Sequence, residues 1–501
     1  VSNSTCAFFS ALSFIILFAF PRYFAICNDN FVTPYAHAGT HGMALSFLAF
    51  FFLFFYLKTR GILYAYLCWF VIGLVLLTKV EVFAGVFCSM LLGWALILRA
   101  EKSQATTIAI RSITFAFLLM LPLSLAGAFF LHVLTFSEAI LRVLSPYFLM
   151  FHRGHSFSPM LMRVMGADQP LTNTGRMLYW LCIYVLLALI VVAANHVLSA
   201  LSKNTKHKIA PAALGFLIAA PFINATASSD LPYLDYFLPL PLIVALHAAY
   251  CIFNLCKSQP HEIEWKRNLV SLSLSVFSFV LLTRLFFNVR IVHYGFFLVL
   301  PGFLILLIVA LDVFPALMRR ISGNARIGMI PLIVMIVCIL YSYFSHSLII
   351  YNAINYPIKN DHELIKGFDL RYTDTSRIIQ EAINEINILV EPHETLTVFP
   401  EGLMFNYLTR RESASPYTAF LPTFFSVFDK AILESLQGNP PDFILLVERS
   451  TSEYGYRYFG TDYATEVLQW IREDYEEISQ IGKRPFSGEG FGVVIMRRIS
   501  S

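Results

Sequence analysis

Apolar residues along this chain come in long uninterrupted runs, not in the short alternations of a soluble fold. A run of about 17–25 apolar residues is long enough to cross the hydrocarbon core of a bilayer as a helix. Eleven runs meet or approach that length: 6–20, which is the shortest, then 43–57, 62–78, 82–98, 112–132, 178–200, 209–224, 236–256, 269–287, 293–313 and 328–350. As one helix, the stretch 62–98 would be about 55 Å long at 1.5 Å per residue, nearly twice the core thickness. It therefore reads as two spans. The only charges in it, Lys79 and Glu81 of Leu-Leu-Thr-Lys-Val-Glu-Val-Phe-Ala-Gly (76–85), mark the turn between them.

After residue 350 the pattern changes. Thr375–Leu389 has helical periodicity, while Thr395–Phe399, Asp442–Glu448 and Phe491–Arg497 carry the Val, Ile and Leu runs of strands. The expected fold is a polytopic α-helical membrane protein of about 11 transmembrane helices, residues 1–350, followed by a C-terminal extracytoplasmic α/β domain, residues 351–501.

Orientation follows from loop charge, because short cytoplasmic loops carry an excess of Lys and Arg. The basic clusters are Lys58/Arg60, Arg99/Lys102/Arg111, Lys203/Lys206/Lys208, Lys257/Lys266/Arg267 and Arg319/Arg320/Arg326. Eleven spans place all five on one side. The opposite, outer side receives the loops 21–42, 133–177 and 225–235, the turn at 79–81, residues 288–292 and everything beyond 350.

Composition agrees with a membrane protein: 57% of residues are hydrophobic and 14% charged, and the mean hydropathy is +0.66. A net charge of +4 spread over scattered clusters gives no basic stripe, which sets nucleic-acid binding aside. The eight cysteines lie in or beside apolar runs and show neither a disulfide framework nor a metal-binding spacing. No cofactor is required by any motif. A divalent metal is disfavoured but left open, since His37 and His41 stand four residues apart, as zinc ligands on one helix face do. Pro34 and two nearby glycines argue that this segment is a loop.

The outer loops hold the candidate chemistry. The first contains Asp29, Tyr35, His37 and His41, and the turn contributes Lys79 and Glu81. The loop 133–177 contributes Arg142 and Arg153, and Ser137–Phe151 within it is amphipathic enough to lie along the membrane surface. Asp230, Asp235, Arg284, Arg290 and His293 complete the set. Ionisable groups at membrane level are costly and face a partner or a cavity. The bland alternatives are a lysine reaching to the headgroups beside Glu81, and arginines touching anionic lipid. The sharper expectation is a site for a lipid-linked phosphate: Lys79, Arg142, Arg153, Arg284 and Arg290 would bind it, and a carboxylate would deprotonate an attacking hydroxyl. Tyr35, His37, His41, Glu81, Asp230, Asp235 and His293 would line that site.

Several stretches resemble a known family. They are Gly-Leu-Val-Leu-Leu-Thr-Lys-Val-Glu (73–81), Pro-Tyr-Ala-His-Ala-Gly-Thr-His-Gly (34–42), Phe-Pro-Glu-Gly-Leu-Met-Phe-Asn-Tyr-Leu-Thr-Arg-Arg (399–411), Pro-Pro-Asp-Phe-Ile-Leu-Leu-Val (440–447) and Glu-Tyr-Gly-Tyr-Arg-Tyr-Phe-Gly (453–460). Together they resemble GT-C glycosyltransferases of the protein-mannosyltransferase and lipid A aminoarabinose-transferase type. The resemblance implies a membrane transferase that moves a sugar from a polyprenyl-phosphate donor to a glycan, lipid or protein acceptor on the extracytoplasmic face. It implies a bacterial inner-membrane location, a donor-phosphate role for Lys79, and a catalytic acid in the first outer loop, often one of a pair. Here Asp29 stands alone. Either Asp29 is the base, or the first helix and its acidic loop precede Val1; the second is the preferred expectation, with the chain as given then inactive. The alternative function is a transporter or lipid flippase without glycosyl transfer, for which Lys79, Glu81 and Arg284 would line the path. A structural subunit that only binds partners is a third.

Overall fold

The computed structural model describes residues 3–24, 29–102, 104–151, 159–201, 213, 217, 220, 232–292, 295–322, 326–360 and 363–499. The chain divides into two compact units, Val1–Met150 with Arg163–Leu348, and Phe151–Met162 with Ile349–Ser501.

The first unit is helical: α1 (Ser4–Ser13), α2 (His37–Thr59), α3 (Ile62–Leu76), α4 (Val80–Ala100), α5 (Ala105–Phe130), α6 (Phe136–Phe151), α7 (Pro159–Met165), α8 (Pro170–Leu201), α9 (Leu240–Lys257), α10 (Ile263–Leu282), α11 (Gly295–Leu298), α12 (Leu300–Ile308), α13 (Phe314–Ser322) and α14 (Arg326–Ala353). Among the described residues eight helices are long and apolar enough to cross a membrane, and Ser4–Ala19 and Ile62–Leu76 are shorter apolar helices. The chain is thus a polytopic integral-membrane protein. Ten of the eleven anticipated spans coincide with helices. The eleventh, 209–224, lies almost wholly outside the described residues.

Lipid tails are as apolar as leucine, so helices in a membrane associate by close packing and not by hydrophobic burial. Small residues supply it here. A Cβ at Gly85 would lie 3.0 Å from the Phe277 ring, and one at Gly93 would lie 3.0 Å from Ser273 Oγ. Between them Ser89 Oγ donates to Ser273 O at 2.6 Å. The spacing 85, 89, 93 puts all three on one edge of α4, which brings α10 against it. At one end of the bundle Glu101 collects Tyr56 Oη at 3.0 Å, Arg60 Nη1 at 2.9 Å and Arg111 Nη1 at 2.8 Å. Those contacts tie together α2, α4 and α5.

The second unit carries β1 (Ile354–Lys359), β2 (Leu364–Phe368), α15 (Thr375–Leu389), β3 (Leu396–Phe399), α16 (Leu403–Thr409), α17 (Pro422–Gly438), β4 (Phe443–Val447), α18 (Thr465–Asp474), β5 (Tyr475–Gly482) and β6 (Gly492–Arg498). Its sheet runs β3-β4-β6-β5. β3 is parallel to β4, and β6 pairs antiparallel with both β4 and β5. Because side chains alternate along a strand, Ile444 and Leu446 of β4 meet Ile432 of α17 and Ile471 of α18 on one face. Phe443, Leu445 and Val447 meet Ile383 and Ile386 of α15 and Phe405 of α16 on the other. The anticipated helix 375–389 and all three anticipated strands are present to within one residue.

Two boundaries differ from expectation. α2 begins at His37, so His37 and His41 occupy its first turns and not a loop; Pro34 precedes the helix, and the glycines inside it serve packing, as described below. Glu81 belongs to the first turn of α4, which leaves 77–79 as the turn. Since Ile444 is fully buried in the centre of the second unit's sheet, Ile444→Ala is expected to cost about 2–5 kcal/mol, measured by native-state hydrogen exchange of the β4 and β6 amides in the full chain.

Candidate functional site at one end of the bundle

The α3–α4 turn builds the centre of the site. Leu77 N and Thr78 N donate to Leu74 O at 3.1 Å and Val75 O at 2.9 Å, closing the last turn of α3. Lys79 then turns extended, and its carbonyl accepts from Val82 N at 3.1 Å and Phe83 N at 3.0 Å, which starts α4. A carboxylate in the first turn of a helix is favoured by the helix dipole, and Glu81 is placed there.

The Lys79 ammonium donates to Tyr35 Oη at 2.5 Å. It also lies 4.8 Å from the Tyr35 ring centroid and 5.0 Å from that of Phe297, distances at which a cation is attracted to the ring faces. Two glycines make this arrangement possible. A Cβ at Gly39 would stand 3.2 Å from the Phe297 ring, and one at Gly42 would stand 2.5 Å from Thr78 Oγ1. One edge of α2 therefore lies flush against Phe297 and the Lys79 turn. His37 and His41 occupy another edge, exposed to the outside, with their rings stacked at 5.8 Å. Among the described residues no group of three or more His, Cys, Asp or Glu is placed to hold a metal ion.

Tyr35 is held by its loop. Asn30 Oδ1 accepts from Val32 N at 3.0 Å and Thr33 N at 2.7 Å, and its Nδ2 donates to Pro21 O at 3.1 Å. Phe31 and Tyr35 both pack edge-on against Phe296, at 5.7 and 6.4 Å. Asp29 is buried at the foot of the same loop and bridges to Pro34.

Burial holds the Lys79 ammonium below the ordinary lysine range; Glu81 opposes that shift and Arg284 adds to it. Lys79, Glu81 and Arg284 thus feel one another's charge. Arg284 reaches this place because a 3-10 turn, Thr283–Leu285, extends α10. Tyr147 joins from α6: its hydroxyl donates to Leu76 O at 2.7 Å, and burial, then Glu81, push it above the ordinary phenol range. Nothing in the linear sequence marks Tyr147 except its place on an amphipathic helix. Arg142 lies on the exposed side of that helix, with Glu138 as a charge neighbour.

A second cluster uses the far end of the same connection between α10 and α11. Arg176 Nη2 donates to both carboxylate oxygens of Asp235, each at 2.6 Å. Arg290 lies among Arg176, Asp235 and Asp168; burial, then Arg176, lower its pKa, and the two carboxylates oppose this. Two loops are sewn together to hold it. Asn288 Nδ2 donates to Arg163 O at 3.0 Å, Phe287 N to Met165 O at 3.1 Å, and Asn173 Nδ2 to Gly166 O at 2.9 Å. Gly166 has φ +72°, and a Cβ there would stand 2.8 Å from Asn288 Cβ. Next to Asp235 in the chain, Tyr236 and Phe237 help to line an apolar cavity of about 430 Å³ that runs between α8, α9, α12 and α14.

Of the anticipated site residues, Tyr35, Lys79, Glu81 and Arg284 come together, and Asp235 and Arg290 form the second cluster. Asp29 shares the Tyr35 loop. Arg153, Asp230 and His293 lie outside the described residues. Such an array of ammonium and guanidinium groups can bind a phosphate and stabilise its charge, with carboxylates at hand to take a proton.

Gly42→Val is expected to destabilise the protein by about 1–3 kcal/mol by overpacking the Thr78 contact. His41→Ala, on the exposed edge of the same helix, should stay within about 0.5 kcal/mol; thermal unfolding of the purified protein measures both. No protein-family model matches this chain and no curated protein is similar to it, so its functional reading rests on the chemistry of the site.

Proposed function

We propose that this chain is a membrane glycosyltransferase that moves a sugar from a polyprenyl-phosphate donor to an acceptor on the extracytoplasmic face, in a bacterial inner membrane. The observation that carries this reading is the gathering of Lys79, Arg284, Tyr35 and Glu81 at one end of an integral-membrane bundle. The apolar cavity lined in part by Tyr236 and Phe237 suits an isoprenoid chain. The basic residues Lys58, Arg60, Arg99, Arg111, Lys257, Arg267, Arg319 and Arg320 stand at the opposite helix ends, which by the positive-inside rule favours an outer position for Lys79. An eleven-span topology with the second unit outside is part of the proposal.

In the reaction, the acceptor hydroxyl oxygen bonds to the sugar anomeric carbon while the bond from that carbon to the phosphate oxygen breaks. The electron pair leaves with the polyprenyl phosphate, and a carboxylate takes the acceptor proton. Lys79 and Arg284 stabilise the phosphate charge as it develops. Asp29 is the candidate base within this chain. The sequence resemblance to GT-C transferases supports the donor-phosphate role of Lys79, whereas Asp29 stands alone where that family often has an acidic pair.

The test is transfer by the full chain in liposomes, with polyprenyl-phosphate mannose and polyprenyl-phosphate aminoarabinose as donors and an envelope lipid extract as acceptor. Lys79→Ala is expected to slow transfer by about 10²–10³-fold, the loss typical of removing one charge-stabilising group. Donor crossing the bilayer with no transfer would favour the lipid-translocation reading. Donor affinity should also depend on pH. Lys79 is held below the ordinary lysine value, so its positive charge is complete below that lowered pKa and is lost as pH rises through it. Donor binding is therefore expected to weaken at high pH. In Lys79→Arg, where the guanidinium stays charged, binding by calorimetry should persist to higher pH.

A further inference from the structure

At the opposite end of the bundle from Lys79, a second cavity of about 270 Å³ lies between α9, α10 and the α12–α13 region. Its polar wall includes Arg267, Arg319, Arg320, Asn254, Asn268 and Asp312. A π turn, Val309–Val313, separates α12 from α13 and contains Asp312; single π turns inside α-helices recur at functional sites. Asp312 is already engaged. It pairs with Arg267 and accepts from Asn3 Nδ2 at 3.4 Å, while the same amide donates to Leu311 O at 2.9 Å. Arg319 and Arg320 are exposed two turns further on. Among the described residues neither has a carboxylate within ion-pair distance; Glu264, exposed on the cavity wall, is the remaining acidic group there.

This polar cavity adjoins the apolar one. His247, Tyr250 and Val313 line both, and beyond them the apolar walls are formed by Phe314, Leu317 and Pro331. A ligand that fits the pair has an anionic head and a hydrocarbon tail. Guanidinium groups recognise phosphate by paired N–H donors, and basic pockets between transmembrane helices at the cytoplasmic side are suited to anionic lipid headgroups.

We propose that this pocket binds the phosphate of an anionic glycerophospholipid through Arg319 and Arg320, with an acyl chain lying in the adjoining end of the apolar cavity. The π turn lets Asp312 hold Arg267 and Asn3 against the wall, leaving the two α13 arginines to the lipid. This site is separate from the Lys79 cluster and does not depend on the proposed transfer reaction.

The experiment uses the full chain, purified in detergent and stripped of lipid, then supplied with phosphatidylglycerol, phosphatidylcholine or inorganic phosphate, with native mass spectrometry and thermal unfolding as readouts. Phosphatidylglycerol is expected to be retained one to one and to raise the unfolding midpoint. The double variant Arg319→Gln/Arg320→Gln should lose at least about tenfold in retention. Arg99→Gln, a basic residue at the same end that does not line the cavity, should retain the lipid as the parent does. Val313→Trp, which fills the junction of the two cavities, provides an independent loss if the arginine variant fails to fold. Equal retention in both cavity variants, equal loss in Arg99→Gln, or equal retention of phosphatidylcholine would overturn the proposal. Equal stabilisation by inorganic phosphate would assign the pocket to a free anion and overturn it as well.

Discussion

An ammonium group at the junction of two apolar helices must find partners, because leaving it buried and unpaired costs several kcal/mol. Much of the Lys79 end of the bundle follows from meeting that requirement. Tyr35 supplies an oxygen and Phe297 a ring face, and both can approach because Gly39 and Gly42 leave α2 without side chains along that edge. The Asn30 loop fixes Tyr35 in turn, and Tyr147 brings α6 onto the last carbonyls of α3. Adding Arg284 to this place makes the lysine's charge harder to keep. An anion beside Lys79 would act in the same sense as Glu81, opposing the effect of burial.

The Glu101 and Lys79 clusters treat charge differently. Around Glu101, one carboxylate satisfies Arg60, Arg111 and the Tyr56 hydroxyl together, a closed set that ties three helices. At the Lys79 end cations and carboxylates are interleaved: Glu81 acts on Lys79 more strongly than Arg284 and in the opposite sense, and Arg290 lies among Arg176, Asp235 and Asp168. Charged groups with shifted pKa values gather in this way at ligand sites and also in structural ion-pair networks.

Much of the architecture was legible in the sequence because length and period are local properties. Ten of the eleven apolar runs are helices where they were expected, and the helix 375–389 can be read from Ile378, Ala382, Ile383 and Ile386, which all turn into its core. The strands were legible from apolar runs flanked by polar residues. The start of α2 is masked in the sequence because Pro34 and the glycines carry turn signals; in a membrane bundle a proline just before a helix is tolerated, and glycines inside it permit close packing. Lys79 was noticed because a charge in an apolar run is conspicuous. Its pairing with Tyr35, 44 residues away, and that of Arg176 with Asp235 across 59 residues have no linear signature. Tyr147 was missed for the same reason: its contribution depends on where a surface helix docks.

The most direct test of a lipid-phosphate site at Lys79 is to locate a bound donor. A polyprenyl-phosphate mannose carrying a diazirine on the isoprene unit next to the phosphate can be photo-crosslinked to the full chain in liposomes and the adducts mapped by mass spectrometry. The predicted result is labelling concentrated on the residues around Tyr35, Lys79, Tyr147 and Arg290, competed by unlabelled donor and lost in Lys79→Ala. Labelling confined to the Arg319 end, or labelling near Lys79 that Lys79→Ala leaves unchanged, would contradict it.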